Sequence, residues 1–229
     1  MIHTIRVLLP VMAMLSFGGV GVLTAQVEDP DPLRFAEAIE AFAAFDSHNT
    51  VPRNAIVFVG SSSIRFWPTA ERFPGLTVIN RGFGGSHISD VNHYAKETVI
   101  KYAPKLVVHY AGDNDVAAGK SPEQVFEDYR EFTEQVLAEL PRTHILFVGL
   151  KPSVLRWDSW PQMMEVNRLV REYSEGKLNL HYVDTGEPML GSSSEPDPAQ
   201  FVADGLHLSE LGYDIWTEVV GRAIADIVE

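Results

Sequence analysis

Ala55-Ile56-Val57-Phe58-Val59-Gly60-Ser61-Ser62-Ser63-Ile64 decides the fold of this chain: five apolar residues run without interruption into a glycine and three serines. A short, wholly apolar run rich in branched side chains reads as a strand buried on both faces, the mark of a parallel sheet. Four similar runs, at 77–80, 106–110, 145–150 and 180–183, follow the first at 55–59. Patterns of helical period lie around them. Phe35, Ile39 and Phe42 share one face, and Val125, Tyr129, Phe132, Val136 and Leu140 share another. Ser121-Pro122-Glu123-Gln124 opens a helix, with a capping hydroxyl, proline at the first position and glutamine three residues on. Helices are also expected over 89–102, 161–174 and 209–227. A parallel crossover needs about a dozen residues and usually uses a helix, so this alternation predicts a three-layer α/β/α architecture around a parallel sheet. In open sheets of this kind ligands bind outside the carboxyl ends of the strands, which makes the loops after the strands the place to seek chemistry.

Composition narrows the function. The 229 residues, 45% of them hydrophobic, suffice for one sizeable core and predict a single domain over 26–229. The formal net charge of -13 is spread along the chain and no basic run occurs, which argues against nucleic acid as a partner. With no cysteine, disulfides, thiolate nucleophiles and cysteine-based zinc sites are excluded. Residues 1–6 carry Arg6 and no acid, and 7–25 carry no charge at all. This resembles a secretory signal peptide over 1–25, with Ala25 the last residue removed, and predicts a secreted or periplasmic protein. A retained membrane anchor is the alternative, weakened by Pro10, Gly18, Gly19 and Gly21 within the stretch.

Four loops after the predicted strands carry candidate chemistry. Gly60-Ser61-Ser62-Ser63 allows a sharp turn with an exposed hydroxyl, as a nucleophile needs, although serine is also among the best helix N-caps. The tetrapeptide recurs at 191–194, among prolines and glutamates with no strand before it, so context separates the two copies. Asn80-Arg81-Gly82-Phe83-Gly84-Gly85-Ser86-His87 has three glycines within four residues, which let backbone N–H groups approach an anion or simply form a flexible turn. Ala111-Gly112-Asp113-Asn114-Asp115 sets an amide donor at a strand end, or an Asx turn. Asp204-Gly205-Leu206-His207 puts a carboxylate and an imidazole on one turn, where the acid orients the base, with helix capping the plainer reading.

In this order the four segments resemble the SGNH, or GDSL-like, family of serine hydrolases, over nearly all of the chain after residue 25. The resemblance implies a flavodoxin-like fold of about five parallel strands in the order 2-1-3-4-5, so that the loops after strands 1, 2 and 3 converge. Residue by residue, it makes Ser62 the nucleophile, His207 the base and Asp204 its partner. It assigns the oxyanion hole to Ser62, Gly85 and Asn114, and it calls for no metal or organic cofactor. One position departs from the pattern: Ser61 stands where the family usually has aspartate. An α/β-hydrolase fits less well, because no serine here lies in Gly-x-Ser-x-Gly.

Two further residues of the loop after the fourth strand, Arg156 and Trp157, are candidates to line the acyl or alcohol pocket, with packing and surface roles as the alternatives. His109, inside an apolar run, reads as a hydrogen-bonded core histidine. The expected activity is hydrolysis of small or short-chain acyl esters, with carbohydrate O-deacetylation foremost and a small-molecule or carbohydrate ester as partner. Lipid substrates, by lysophospholipase or thioesterase action, come second because the sequence shows no long apolar lid. A non-hydrolytic glycan-binding domain and an acyltransferase are the remaining alternatives.

Overall fold

The apolar runs become β1 (Ile56–Gly60), β2 (Val78–Gly82), β3 (Leu106–Tyr110), β4 (His144–Val148) and β5 (Leu180–Val183), all parallel, in the order β2-β1-β3-β4-β5. This is the expected α/β sheet: β3 and β5 have the predicted bounds, and the ends of β1, β2 and β4 are displaced by one or two residues. The computed structural model describes residues 27–192 and 194–228; the segment 1–25, expected to be a signal peptide, lies outside the described residues. Every residue of β1 and β3 is buried, as an uninterrupted apolar run in the middle of a sheet requires.

Around the sheet lie α1 (Ala36–His48), α2 (Ser62–Arg65), α3 (Thr69–Arg72), α4 (Ile88–His93), α5 (Ala95–Thr98), α6 (Asp113–Ala117), α7 (Pro122–Glu139), α8 (Trp160–Ser174) and α9 (Glu210–Val228). Successive strand residues face opposite ways, and β3 shows what covers each side. His109 points at Tyr129 and Phe132 of α7, with ring centroids 5.5 and 4.7 Å away, while Tyr110 meets Trp216 of α9 at 4.8 Å. Trp67 joins Phe58, Phe73 and Trp216 on that second face. Each such side chain, fully buried, contributes roughly 1.5–3 kcal/mol relative to exposure.

Two expectations need correction. The helix over 89–102 is broken into α4, α5 and a 3-10 turn, Ile100–Tyr102. Thr98 Oγ1 donates to Tyr94 O at 2.8 Å, and the β-branched Val99 leaves helical geometry at φ -131°, ψ -62°. A hydroxyl that binds the backbone four residues back, followed by two residues stiff at χ1, ends the helix there. His109 is in the core as expected, but neither ring nitrogen has a hydrogen-bond partner among the described residues. Burial alone drives its pKa down to about 3, so it stays neutral. The start of α7 is as read: Ser121 Oγ accepts from Gln124 N at 3.3 Å and Gln124 Oε1 accepts from Ser121 N at 3.1 Å.

Candidate active site

The register sets Gly60, at the end of β1, level with Gly82 of β2 and Tyr110 of β3, so the three following loops leave the sheet at one height. Gly60 itself is at φ +135°, and a Cβ there would lie 1.8 Å from Tyr110 O. Only glycine lets β1 turn this close to β3. The turn delivers Ser61, whose N–H still donates to Tyr110 O at 2.9 Å, and then Ser62 at the start of α2. Ser61 is buried, and its hydroxyl has no partner among the described residues. The second Gly-Ser-Ser-Ser, at 191–194, follows a 3-10 turn, Glu187–Met189, and no strand.

Ser62 Oγ lies 3.0 Å from His207 Nε2, across 145 residues of sequence. His207 Nδ1 lies 2.6 Å from Asp204 Oδ2. The other carboxylate oxygen, Asp204 Oδ1, accepts from Leu206 N at 2.8 Å and His207 N at 2.9 Å. The hydrogen bond from the His207 ring, together with these amides, holds the Asp204 pKa down at about 2, so the acid is ionised at physiological pH. An ionised acceptor on Nδ1 fixes the neutral imidazole with its free lone pair on Nε2, toward the serine. The loop is pinned from outside: Lys151 Nζ donates to Leu206 O at 3.0 Å, Leu155 N to Gly205 O at 2.9 Å and Val202 N to His207 O at 2.9 Å. Lys151 is 1% exposed, and burial lowers its pKa to about 8. Phe66 sets its ring edge-on to the His207 ring, with centroids 5.2 Å apart.

On the other side of Ser62 lies the glycine loop after β2. Gly85 is exposed at φ +84°, and neither its N–H nor that of Ser62 has an acceptor among the described residues. Two free amides beside a hydroxyl are what an oxyanion requires. The loop is held from behind, where His87 N donates to Asp90 Oδ2 at 2.8 Å and Ile88 N to Asp115 Oδ1 at 3.2 Å. Arg34 pairs with Asp90 at 2.5 Å. Lys120, 2% exposed, pairs with Asp29, Asp115 and Asp128 at 2.5, 3.2 and 2.5 Å. Burial pushes Asp115 up to about 7, against the pull of Lys120.

The third loop brings Asn114 to the same place. Its Nδ2 donates to Ser86 O at 3.0 Å, leaving one amide proton free, and its Oδ1 accepts from Arg156 Nη2 at 2.9 Å. Arg156 Nη1 meets Asp113 Oδ2 at 3.1 Å. Arg156 therefore turns toward the Asn114 loop rather than standing open to a ligand. Trp157 stacks on Trp160 at 6.4 Å. Sequence reasoning gave no role to Lys151, Lys120 or Phe66; a lysine next to Pro152 at the end of an apolar run was the one signal for Lys151. The arrangement can activate a hydroxyl by an oriented imidazole and stabilise negative charge beside it, which is the chemistry of acyl transfer.

A family model described as "GDSL-like Lipase/Acylhydrolase family" matches residues 63–215, which include Gly85, Asn114, Asp204 and His207. No curated protein matches the sequence. Among solved structures, a provisionally assigned platelet activating factor from Streptococcus pneumonia has a TM-score of 0.74 at 19% identity, over 84% of this chain and 94% of that one. A GDSL-like lipase from Bacteroides thetaiotaomicron VPI-5482 has a TM-score of 0.73 at 23% identity, over 83% of this chain and 98% of that one. An acetylxylan esterase from Geobacillus stearothermophilus has a TM-score of 0.61 at 18% identity, over 75% and 94%. At these identities the likeness is one of fold.

Proposed function

Because this chain belongs to the GDSL-like lipase/acylhydrolase family and is a carboxylic ester hydrolase, we propose that it cleaves small or short-chain acyl esters through Ser62, His207 and Asp204 and an acyl-enzyme. The observation that carries this reading is the continuous hydrogen-bonded line from Ser62 Oγ to Asp204, at 3.0 and 2.6 Å. Ser62 Oγ attacks the ester carbonyl carbon as its proton passes to His207 Nε2. The oxygen that gains the electron pair is held by the Ser62 and Gly85 amides and the free Asn114 Nδ2 proton. Collapse breaks the ester bond, and the departing alcohol takes the proton from His207. Water then repeats the sequence on the acyl-enzyme, with His207 again the base, and releases the acid and Ser62.

Carbohydrate O-deacetylation is the substrate class to test first; the fold shared with an acetylxylan esterase supports it. A lipid ester is the second reading, favoured by exposed Phe66, Val154, Leu155 and Val202 around the His207 loop. The uncharged stretch at 7–25 supports action outside the cytoplasm. The test compares wild type and Ser62→Ala on acetylated xylo-oligosaccharides, 4-nitrophenyl acetate and a micellar long-chain lysophospholipid. Acetate release by wild type alone is expected. Faster turnover of the lysophospholipid would move the function to the lipid reading, and equal rates for the two proteins would refute the mechanism.

A further inference from the structure

Charge pairing around the reactive serine leaves one arginine over. Among the described arginines, only Arg53, Arg65 and Arg142 lack a carboxylate within ion-pair distance. Arg53 and Arg142 lie just before β1 and β4, at the amino ends of the strands, far from the chemistry. Arg65 is on α2, three residues after Ser62, at the carboxyl end of the sheet. A Cβ on Gly84 would lie 3.4 Å from Arg65 Nη1 and 3.6 Å from Ser62 Cβ, so the guanidinium and the serine side chain flank the same glycine. Beside them opens a cavity of about 550 Å³, walled by Phe35, the residue before α1, by Phe42 of α1, by Phe83 and Gly84, and by Arg65 and Glu71.

A guanidinium presents a rigid fork of donors matched to a carboxylate; Arg65 is exposed, its Cζ lies 5.8 Å from the Phe66 ring centroid, and its side-chain N–H groups have no acceptor among the described residues. In a chain of net charge -13 acids to neutralise it are plentiful, yet none is in reach. Glu71, which shares the cavity, is exposed and makes no ion pair with Arg65. The phenylalanines offer an apolar face for a ring next to the charge.

Resting on the esterase reading above, we propose that Arg65 and this cavity form a subsite for an anionic group, so that favoured substrates carry a carboxylate close to the scissile ester. The cavity binds the ring or sugar face against Phe35 and Phe42, and Arg65 receives the carboxylate. The carboxylate belongs either to the alcohol part or to the acyl part of the ester, and the test has an arm for each.

Wild type, Arg65→Gln, Arg65→Lys and Arg142→Gln are compared in kcat/KM on phenyl acetate, on 4-acetoxybenzoate (anion on the alcohol) and on the monophenyl ester of succinate (anion on the acyl group). The quantity read is each anionic ester's kcat/KM divided by that for phenyl acetate, which cancels general losses of activity. For one of the two anionic esters the ratio is expected to fall about tenfold in Arg65→Gln and less in Arg65→Lys, which keeps the charge without the fork. Arg142→Gln makes the same change in net charge and is expected to leave both ratios in place. Unchanged ratios in Arg65→Gln, or equal shifts in Arg142→Gln, would overturn the proposal. If wild type cleaves none of the esters, the esterase reading fails and the subsite is read by calorimetry with benzoate. About tenfold weaker binding to Arg65→Gln than to wild type would then sustain the anion site, and equal or absent binding would overturn it.

Discussion

Replacing Arg156 by methionine is predicted to lower kcat by about 10- to 100-fold with KM nearly unchanged. An asparagine amide has two unlike ends, and only the Nδ2 end can serve an oxyanion. Arg156 Nη2 holds Asn114 Oδ1 at 2.9 Å and Ser86 O holds one Nδ2 proton at 3.0 Å, so the amide has one orientation, with its other proton free. Removing a complete oxyanion donor costs about a hundred- to a thousandfold in kcat. Freeing Oδ1 while Ser86 O still draws Nδ2 the right way costs part of that. The variant also strips Asp113 of its partner. Asp113 is 5% exposed, with one oxygen already unpaired, and losing a buried partner costs roughly 3–5 kcal/mol. Arg156 is itself 18% exposed on its side chain, which lowers the expected loss to roughly 1–3 kcal/mol. Adding Asp113→Asn should restore much of the stability without restoring kcat. The assay is steady-state hydrolysis of 4-nitrophenyl acetate by Arg156→Met, Asn114→Ala and their double variant. If Arg156 acts by orienting Asn114, it has little left to lose once Asn114 is alanine. Equal losses from Arg156→Met in both backgrounds, or a loss wholly in KM, would show that Arg156 does not act through Asn114 and would return it to direct substrate contact.

Three further outcomes follow from single contacts. Asp204→Asn is expected to stay folded and to lose about a thousand- to ten-thousandfold in kcat, because an amide no longer selects the His207 tautomer; near wild-type kinetics would remove Asp204 from the relay. Gly60→Ala should not yield a native protein, since its Cβ would lie 1.8 Å from Tyr110 O in a backbone conformation alanine resists; a thermal midpoint within about 3 °C of wild type would contradict this. Lys151 carries a folded pKa of about 8, below its ordinary 10.5, so the unfolded chain binds the extra proton between these values and stability rises with pH across that window. Urea melts should show wild type gaining up to roughly 3 kcal/mol on Lys151→Met between pH 8 and 10.5, and a constant difference would place Lys151 in water.

The sheet was legible because its signal is local. The run at 55–59 is apolar on every residue, and its four counterparts are mostly so, broken by Thr77, Asn80, His109, Gly149 and His181; a strand covered on both faces calls for such runs. The break in the helix over 89–102 was less visible, since the Thr98 hydroxyl competes with the ladder only once Tyr94 O is within reach. Ser62, Asp204 and His207 were legible as separate segments; what brings them together is the return of the chain after β5, with Trp216 of α9 packed on Trp67 and on Tyr110 of β3. What holds them was not legible. Arg156 with Asn114 and Lys151 with Leu206 join loops from different strands, and no spacing in the sequence marks which cation meets which acceptor. For the same reason the contacts of Arg156 with Asp113 and Asn114 were not legible, and the sequence offered it pocket, packing and surface roles alike.

Covalent labelling tests whether Ser62 is an activated nucleophile without a guess at the substrate. The purified protein is treated with a fluorophosphonate and the modified peptide is identified by mass spectrometry, alongside His207→Ala. Labelling is expected on Ser62 in wild type and is expected to be lost in His207→Ala, with both proteins equally folded by circular dichroism. A folded wild type that takes no label, or takes it on another serine, would show that Ser62 is not the activated nucleophile.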